Sequence, residues 1–193
     1  MSSRAAFVGG VLAVGGGVSG LALVGSRPAH SQPPSRDRDV EILNFALLLE
    51  HLQAAFYEQA LREGTLRGEI RRFAAVCGAN EEEHVSLLRD ALGARARRRP
   101  SFHFDPPLLR GRRFVRSALI LEEAGVAAYN GQAANLTAEA LLPALRMVSV
   151  EGRHAAWIRD IAGEDPAPFA ADPGKTASEV TSTLRRAGLL VTR

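Results

Sequence analysis

One cysteine, Cys77, and one lysine, Lys175, stand in a chain of 193 residues. A lone cysteine excludes an intrachain disulfide and any thiolate metal cluster. Lysine is so scarce that arginine supplies nearly all of the 24 basic residues, a skew that fits a GC-rich genome better than a selected surface. Strand-like alternation of apolar and polar residues is missing throughout, which excludes a sheet of any size and leaves an all-α fold. No stretch beyond the N-terminal region has the composition of a disordered segment. The formal charge of +3 is modest. Arg95, Arg97, Arg98, Arg99, Arg110, Arg112 and Arg113 crowd one segment that can meet phosphate or anionic lipid, but a solvated loop is the expected reading and no nucleic-acid partner is expected.

Apolar residues make up 46% of the chain, enough for the core of one compact domain. Arg4 precedes an apolar run from Ala5 to Gly25, and Ala29 and Ser31 follow at the small-residue positions that signal peptidase accepts. Residues 1–31 are therefore expected to be a signal peptide cut before Gln32, or an uncleaved membrane anchor, since the run is long enough to span a bilayer. A single arginine ahead of the run gives no support to a twin-arginine signal. Either way the domain is expected outside the cytoplasm, in the periplasm or cell envelope, touching membrane only through that segment.

Residues 32–38 are polar and Pro-rich and are expected to be a linker. Helical periodicity then predicts four long helices, about 39–63, 69–92, 113–135 and 137–161, closed by glycines at 64, 93 and 163. Together they form a bundle over 39–163, followed by a tail, 164–193, with a short amphipathic helix near 177–187. Pro143 requires either a kink in the fourth helix or a separate turn ahead of it. The short turns make the first and second helices antiparallel neighbours, and likewise the third and fourth. Between the pairs lie 19 residues, 94–112. They can reach at most about 63 Å. A helix of this size is only about 37 Å long, so the linker can serve as a crossover along the whole bundle.

The seam of each helix is apolar except at its middle. The first gives Leu43, Leu47, Glu50, Ala54, Tyr57 and Leu61, and the second Ile70, Ala74, Cys77, Glu81, His84, Leu88 and Ala91. The third gives Val115, Leu119, Glu122, Val126, Tyr129 and Ala133, and the fourth Leu141, Ala144, Val148, Glu151, His154, Ile158 and Ile161. Glu50 lies 14 residues before Gly64 and Glu81 13 after Gly68, while Glu122 lies 13 before Asn135 and Glu151 14 after Thr137. Four carboxylates and two imidazoles should therefore meet in one layer. Burying that much negative charge unbalanced costs several kcal/mol per ion, more than a domain stable by about 5–15 kcal/mol can absorb. Two divalent cations would balance it. Each Glu-x-x-His puts both side chains on one helical face, and histidine with oxygen ligands suits iron or manganese, zinc not being excluded.

The halves also repeat. Leu49-Glu50 through Tyr57 aligns with Leu121-Glu122 through Tyr129, and the glutamate spacing is 31 in one half and 29 in the other. Glu123 competes with Glu122 as the ligand, and this repeat decides for Glu122. Tyr57 and Tyr129 are either second-layer groups bonding a ligand or ordinary core tyrosines. His51, Glu58, Glu82 and Glu83 are expected to be solvated, and Trp157 and Cys77 to be core. Gly125 and Gly131, costly inside a helix, suggest close helix approach or room for a ligand.

The segments LNFALLLEHLQAAFYEQAL, NEEEH, PSFHFD, LEEAGVAAYNG and VEGRHAAWIRDIAG resemble the ferritin-like superfamily, and within it exported proteins grouped with desiccation-related proteins. The resemblance spans about residues 39–172. It implies a four-helix bundle and, where all ligands are kept, a di-iron or di-manganese centre; it does not imply one reaction. Glu81 and Glu151 would bridge the metals, with Glu50 and His84 at one end and Glu122 and His154 at the other. The chemistry expected is oxidation of ferrous iron, or consumption of dioxygen or peroxide, with no catalytic residue assigned beyond the ligands. The alternatives are a non-catalytic envelope or stress-protection scaffold, and a homo-oligomeric storage cage.

Overall fold

In a computed structural model the structure describes residues 33–191; the expected signal or anchor segment and its expected cleavage point lie outside the described residues. Four long helices follow one another: α1 (Arg36–Arg62), α2 (Gly68–Leu92), α3 (Gly111–Gln132) and α4 (Ala138–Ala162), with a short α5 (Ala177–Arg186). No strand occurs among the described residues, and no helix there is long and apolar enough to cross a membrane.

α1 begins three residues earlier than its acidic first turn suggested, because Ser35 caps it and accepts a hydrogen bond from the Arg38 amide. The expected linker thus gives its last three residues to the helix. α4 is continuous through Pro143, with no separate turn ahead of it. Pro143 is exposed, so its missing N–H costs one helical bond at the surface and no burial. Gly163 ends α4 in the left-handed region, at φ 74°, where a side chain would be strained.

The crossover is mostly irregular, with 3-10 turns at Gly93–Arg95 and Pro106–Leu109. It runs from the C-terminus of α2 to the N-terminus of α3, so the α1–α2 turn and the α3–α4 turn lie at opposite ends of the bundle. Asn44 on α1 fastens its start, donating to the Arg95 carbonyl and accepting from the Arg97 amide.

Two apolar clusters fill the bundle, one at each end. The end holding the α1–α2 turn is aromatic: Phe56 stacks on Phe114, and Tyr57, Phe73, Phe104 and Trp157 meet edge to face around them. α5, held by a capping box between Thr176 and Glu179, adds Val180 and Leu184 to this cluster. The tail helix is therefore part of the core. Ahead of α5, the Lys175 amide bonds the Ala127 carbonyl, and only the missing side chain of Gly131 lets the backbone at Gly174 and Lys175 approach α3. The other end is aliphatic, built from Leu43, Leu47, Leu88, Leu92, Leu136 and Met147.

The seam positions are buried or half-buried as the periodicity requires, except Ala91, which is exposed near the end of α2. His51 departs in the other direction. It is buried, because α1 has a second covered face beneath the crossover.

Candidate metal centre

Between the two apolar clusters lies one polar layer. Glu50, Glu81, His84, Glu122, Glu151 and His154 are each at most 4% exposed. One ligand atom from each of Glu50, Glu81, His84 and Glu151 lies within 4.8 Å of the others, and the same holds for Glu81, Glu122, Glu151 and His154. The two sets share Glu81 and Glu151. All six residues picked from the seam pattern thus come together, in two overlapping groups that can hold divalent metal.

The donor set fits such ions better than it fits itself. His84 Nδ1 lies 3.3 Å from Glu50, 3.0 Å from Glu81 and 3.2 Å from Glu151. His154 Nδ1 lies 3.2 Å from both Glu81 and Glu122. Yet His154 Nδ1, Glu81 Oε1, Glu122 Oε2 and Glu151 Oε1 are buried without a hydrogen-bond partner. They are close but not aligned, an expensive arrangement unless a cation satisfies them.

Protonation tells the same story. Burial pushes the carboxyls of Glu81 and Glu151 well above the usual range, and repulsion from neighbouring glutamates adds to it. Burial alone would also raise Glu50, but its bond to His84 and the charge of that ring bring it below its ordinary value. His84 is disfavoured as a cation by burial, yet its bonds to Glu151, Glu50 and Glu81 outweigh this and push it up to about 12. Burial likewise opposes the His154 cation, and Glu122 raises it. The metal-free layer therefore holds protons where the charge balance calls for cations.

A second layer orients the first, and it crosses between halves. Tyr57 on α1 donates its hydroxyl to Glu122 on α3, while Tyr129 on α3 donates to Glu50 on α1 at 2.6 Å. This reciprocal pairing makes α1 and α3 antiparallel and reflects the twofold repeat in the sequence. Burial raises both hydroxyls well above their ordinary range, with the facing carboxylates adding to it, so they remain donors.

Two neighbours of the layer were not anticipated, and both break the twofold. Gln53 Nε2 lies 3.4 Å from Glu122 Oε1 and from Glu151 Oε2. The aligned position in the other half is Gly125, where a Cβ would stand 2.6 Å from Glu151 Oε2. Gly125 thus leaves the room that the Glu151 carboxylate occupies. The Asn80 amide nitrogen lies 2.9 Å from His154 Nε2 and donates to it in the tautomer that leaves Nε2 unprotonated. The signal for both was position: Gln53 is one turn from Glu50, and Asn80 precedes Glu81.

The remaining candidates sort by burial. Glu123 pairs with Arg159 away from the layer, which leaves Glu122 as the ligand candidate on α3. Glu58, Glu82 and Glu83 are exposed. His51 is not solvated as its neighbours suggested; both ring nitrogens are buried without a hydrogen-bond partner, and burial, with the charges of Arg99 and Arg89, lowers it to about 4. It is neutral. Cys77 is fully buried and burial pushes its thiol up. Trp157 is half-buried, its indole N–H donating to Glu69 at 3.1 Å. In the arginine-rich segment, Arg99 faces Glu58 and Glu82, and Arg110 pairs with Glu63.

No curated protein matches the chain. The ferritin-like domain family does, over residues 38–164, which spans all four long helices and every member of the layer. With bundle, crossover and buried Glu/His layer in agreement, the chain belongs to the ferritin-like domain family.

Proposed function

We propose that this protein is an exported di-metal oxidoreductase that holds two iron or manganese ions and oxidises ferrous iron, or consumes dioxygen or peroxide. The observation that carries the reading is the sharing of Glu81 and Glu151 between two buried ligand sets. In it, Glu81 and Glu151 would serve both ions, Glu50 with His84 would complete one end, and Glu122 with His154 would complete the other. Iron or manganese held there supplies one-electron chemistry toward dioxygen or peroxide.

The chain's own residues do the rest. Burial favours protons on Glu81 and Glu151, so a cation that binds there displaces them and loading releases protons. Tyr57 and Tyr129 hold the terminal carboxylates by one oxygen each, leaving the other for metal. The aromatic cluster keeps bulk water from the Glu122–His154 end of the layer. Export rests on Arg4, the apolar run Ala5–Gly25 and the small residues Ala29 and Ser31.

Metal analysis of the chain recovered outside the cytoplasm of its native host tests this. Two ions per chain are expected, with ferrous-iron or peroxide turnover that disappears in Glu81→Ala. A metal-free chain sinks the reading. Bound metal without turnover replaces it with the non-catalytic scaffold, and zinc alone removes the redox chemistry.

A further inference from the structure

At the aliphatic end, α2 and α4 do not close on each other. A cleft of about 620 Å³ opens between them, with His84 among its lining residues. Leu43, Leu88 and Met147 line its buried part, while Leu87 and Pro143 stand exposed toward solvent. Dioxygen or peroxide needs little more room than a water, whose share of liquid volume is about 30 Å³. A cleft of this size, apolar and with a few polar groups, is in the range that encloses an organic molecule.

The polar groups of the lining show which kind. Arg36, Asp39, Arg95, Glu139 and Arg146 contribute to it. Both Asp39 oxygens are taken, by the Thr137 amide at 2.9 Å and the Thr137 hydroxyl at 2.6 Å. Glu139 is taken by Arg36 at 3.4 Å. Arg95 pairs only with the fully exposed Asp37, at 3.9 Å, and Arg146 has no ion-pair or hydrogen-bond partner among the described residues. The lining thus carries three arginines against two carboxylates, and Arg146 is the cation left without a partner among the described residues.

We propose that the cleft binds an amphiphilic organic anion, its apolar body along Leu43, Leu88 and Met147 toward His84 and its acidic head at Arg95 and Arg146. This rests on the di-metal reading only for what lies at the inner end. It names the class of molecule brought beside the centre. The cleft of about 660 Å³ at the opposite end, under the crossover, has no member of the polar layer in its lining.

The test uses the full chain loaded with cobalt(II), titrated with decanoate and with decanol by calorimetry and visible absorption. Decanoate should bind once per chain, change the cobalt bands, and bind at least tenfold more tightly than decanol. Ala91→Trp fills the cleft from an exposed helix position, so folding survives, and should weaken decanoate tenfold or more with the cobalt count unchanged. Arg146→Ala should weaken decanoate about tenfold and leave decanol alone. Absence of saturable binding overturns the proposal. Equal affinity for decanol, or indifference to Ala91→Trp, overturns it as well. A chain that binds decanoate but retains no cobalt keeps the cleft and discards the di-metal reading, so the two failures are distinct.

Discussion

The two ends of the metal layer are related by the repeat in the sequence and yet are built differently. At the Glu122–His154 end, Tyr57 and Gln53 both reach Glu122, Asn80 meets His154, and five further aromatic rings pack behind them. At the Glu50–His84 end, Tyr129 is the one hydroxyl on Glu50, its oxygen also lies 3.7 Å from the Met147 sulfur, and a cleft opens beside His84. A twofold ligand set has thus been given one sealed side and one open side. The candidate ligands are symmetric; asymmetric surroundings decide which side a molecule can reach.

The comparison presumes ions in the shared layer, and removing them should have the largest effect. An ion at a free concentration a thousandfold above its Kd stabilises the folded chain by about 4 kcal/mol. For two ions, at about 2–4 °C per kcal/mol, a chelator should lower the Tm by roughly 20 °C in scanning calorimetry. A negligible shift would mean that neither end holds metal.

Stripping the ions should also reverse the pH dependence. Glu81 and Glu151 keep protons in the folded chain that their unfolded counterparts lose above pH 4.5. The stability this gives is complete below that pH and is lost as pH rises. His84 acts in the same sense from 6.5 up to about 12. Glu50 acts oppositely, its contribution being present above 4.5 and lost as pH falls through its lowered folded value. The Tm of the chelated protein should therefore fall between pH 5 and 9, in roughly that window, while the loaded protein, whose ligands must be deprotonated, holds steady or gains.

Packing should separate the ends next. Phe114→Ala on the sealed side removes a fully buried ring stacked on Phe56, at a cost of about 3–5 kcal/mol in urea unfolding. Met147→Ala beside the cleft should cost no more than about 2 kcal/mol, because water can fill the space already open there. Equal costs would argue that the cleft closes in solution.

The tyrosines sharpen the contrast at finer scale. Tyr129→Phe leaves Glu50 with His84 alone and should weaken metal binding about tenfold by competition with a chelating dye. Tyr57→Phe should weaken it less, since Gln53 still reaches Glu122. Smallest of all, Arg110→Ala removes an exposed ion pair to Glu63 and should move stability by no more than about 0.5 kcal/mol at either end.

How far these features could be read in the chain follows their range. Helix positions and the six layer residues were legible because a seam interrupted by charge is a local, periodic signal. Equal distances from the turns then fixed their common height. His51 was misread because its burial comes from the crossover, a covering that no periodicity on α1 encodes. Ala91 kept the period but lies where α2 and α4 part. Tyr57 and Tyr129 were found as second-layer candidates, but not that each serves the glutamate of the other half. That exchange requires α1 and α3 to be antiparallel, which is a matter of topology.

By itself, then, the sequence determined that four helices would form and that four carboxylates and two imidazoles would stand at one level, because both depend on spacing along single helices. The tertiary structure decided which carboxylates are shared, which tyrosine holds which glutamate, and which end stays open. Those choices depend on distances between helices, and such distances are set only when the crossover, the α5 tail and the close approaches at Gly125 and Gly131 have packed.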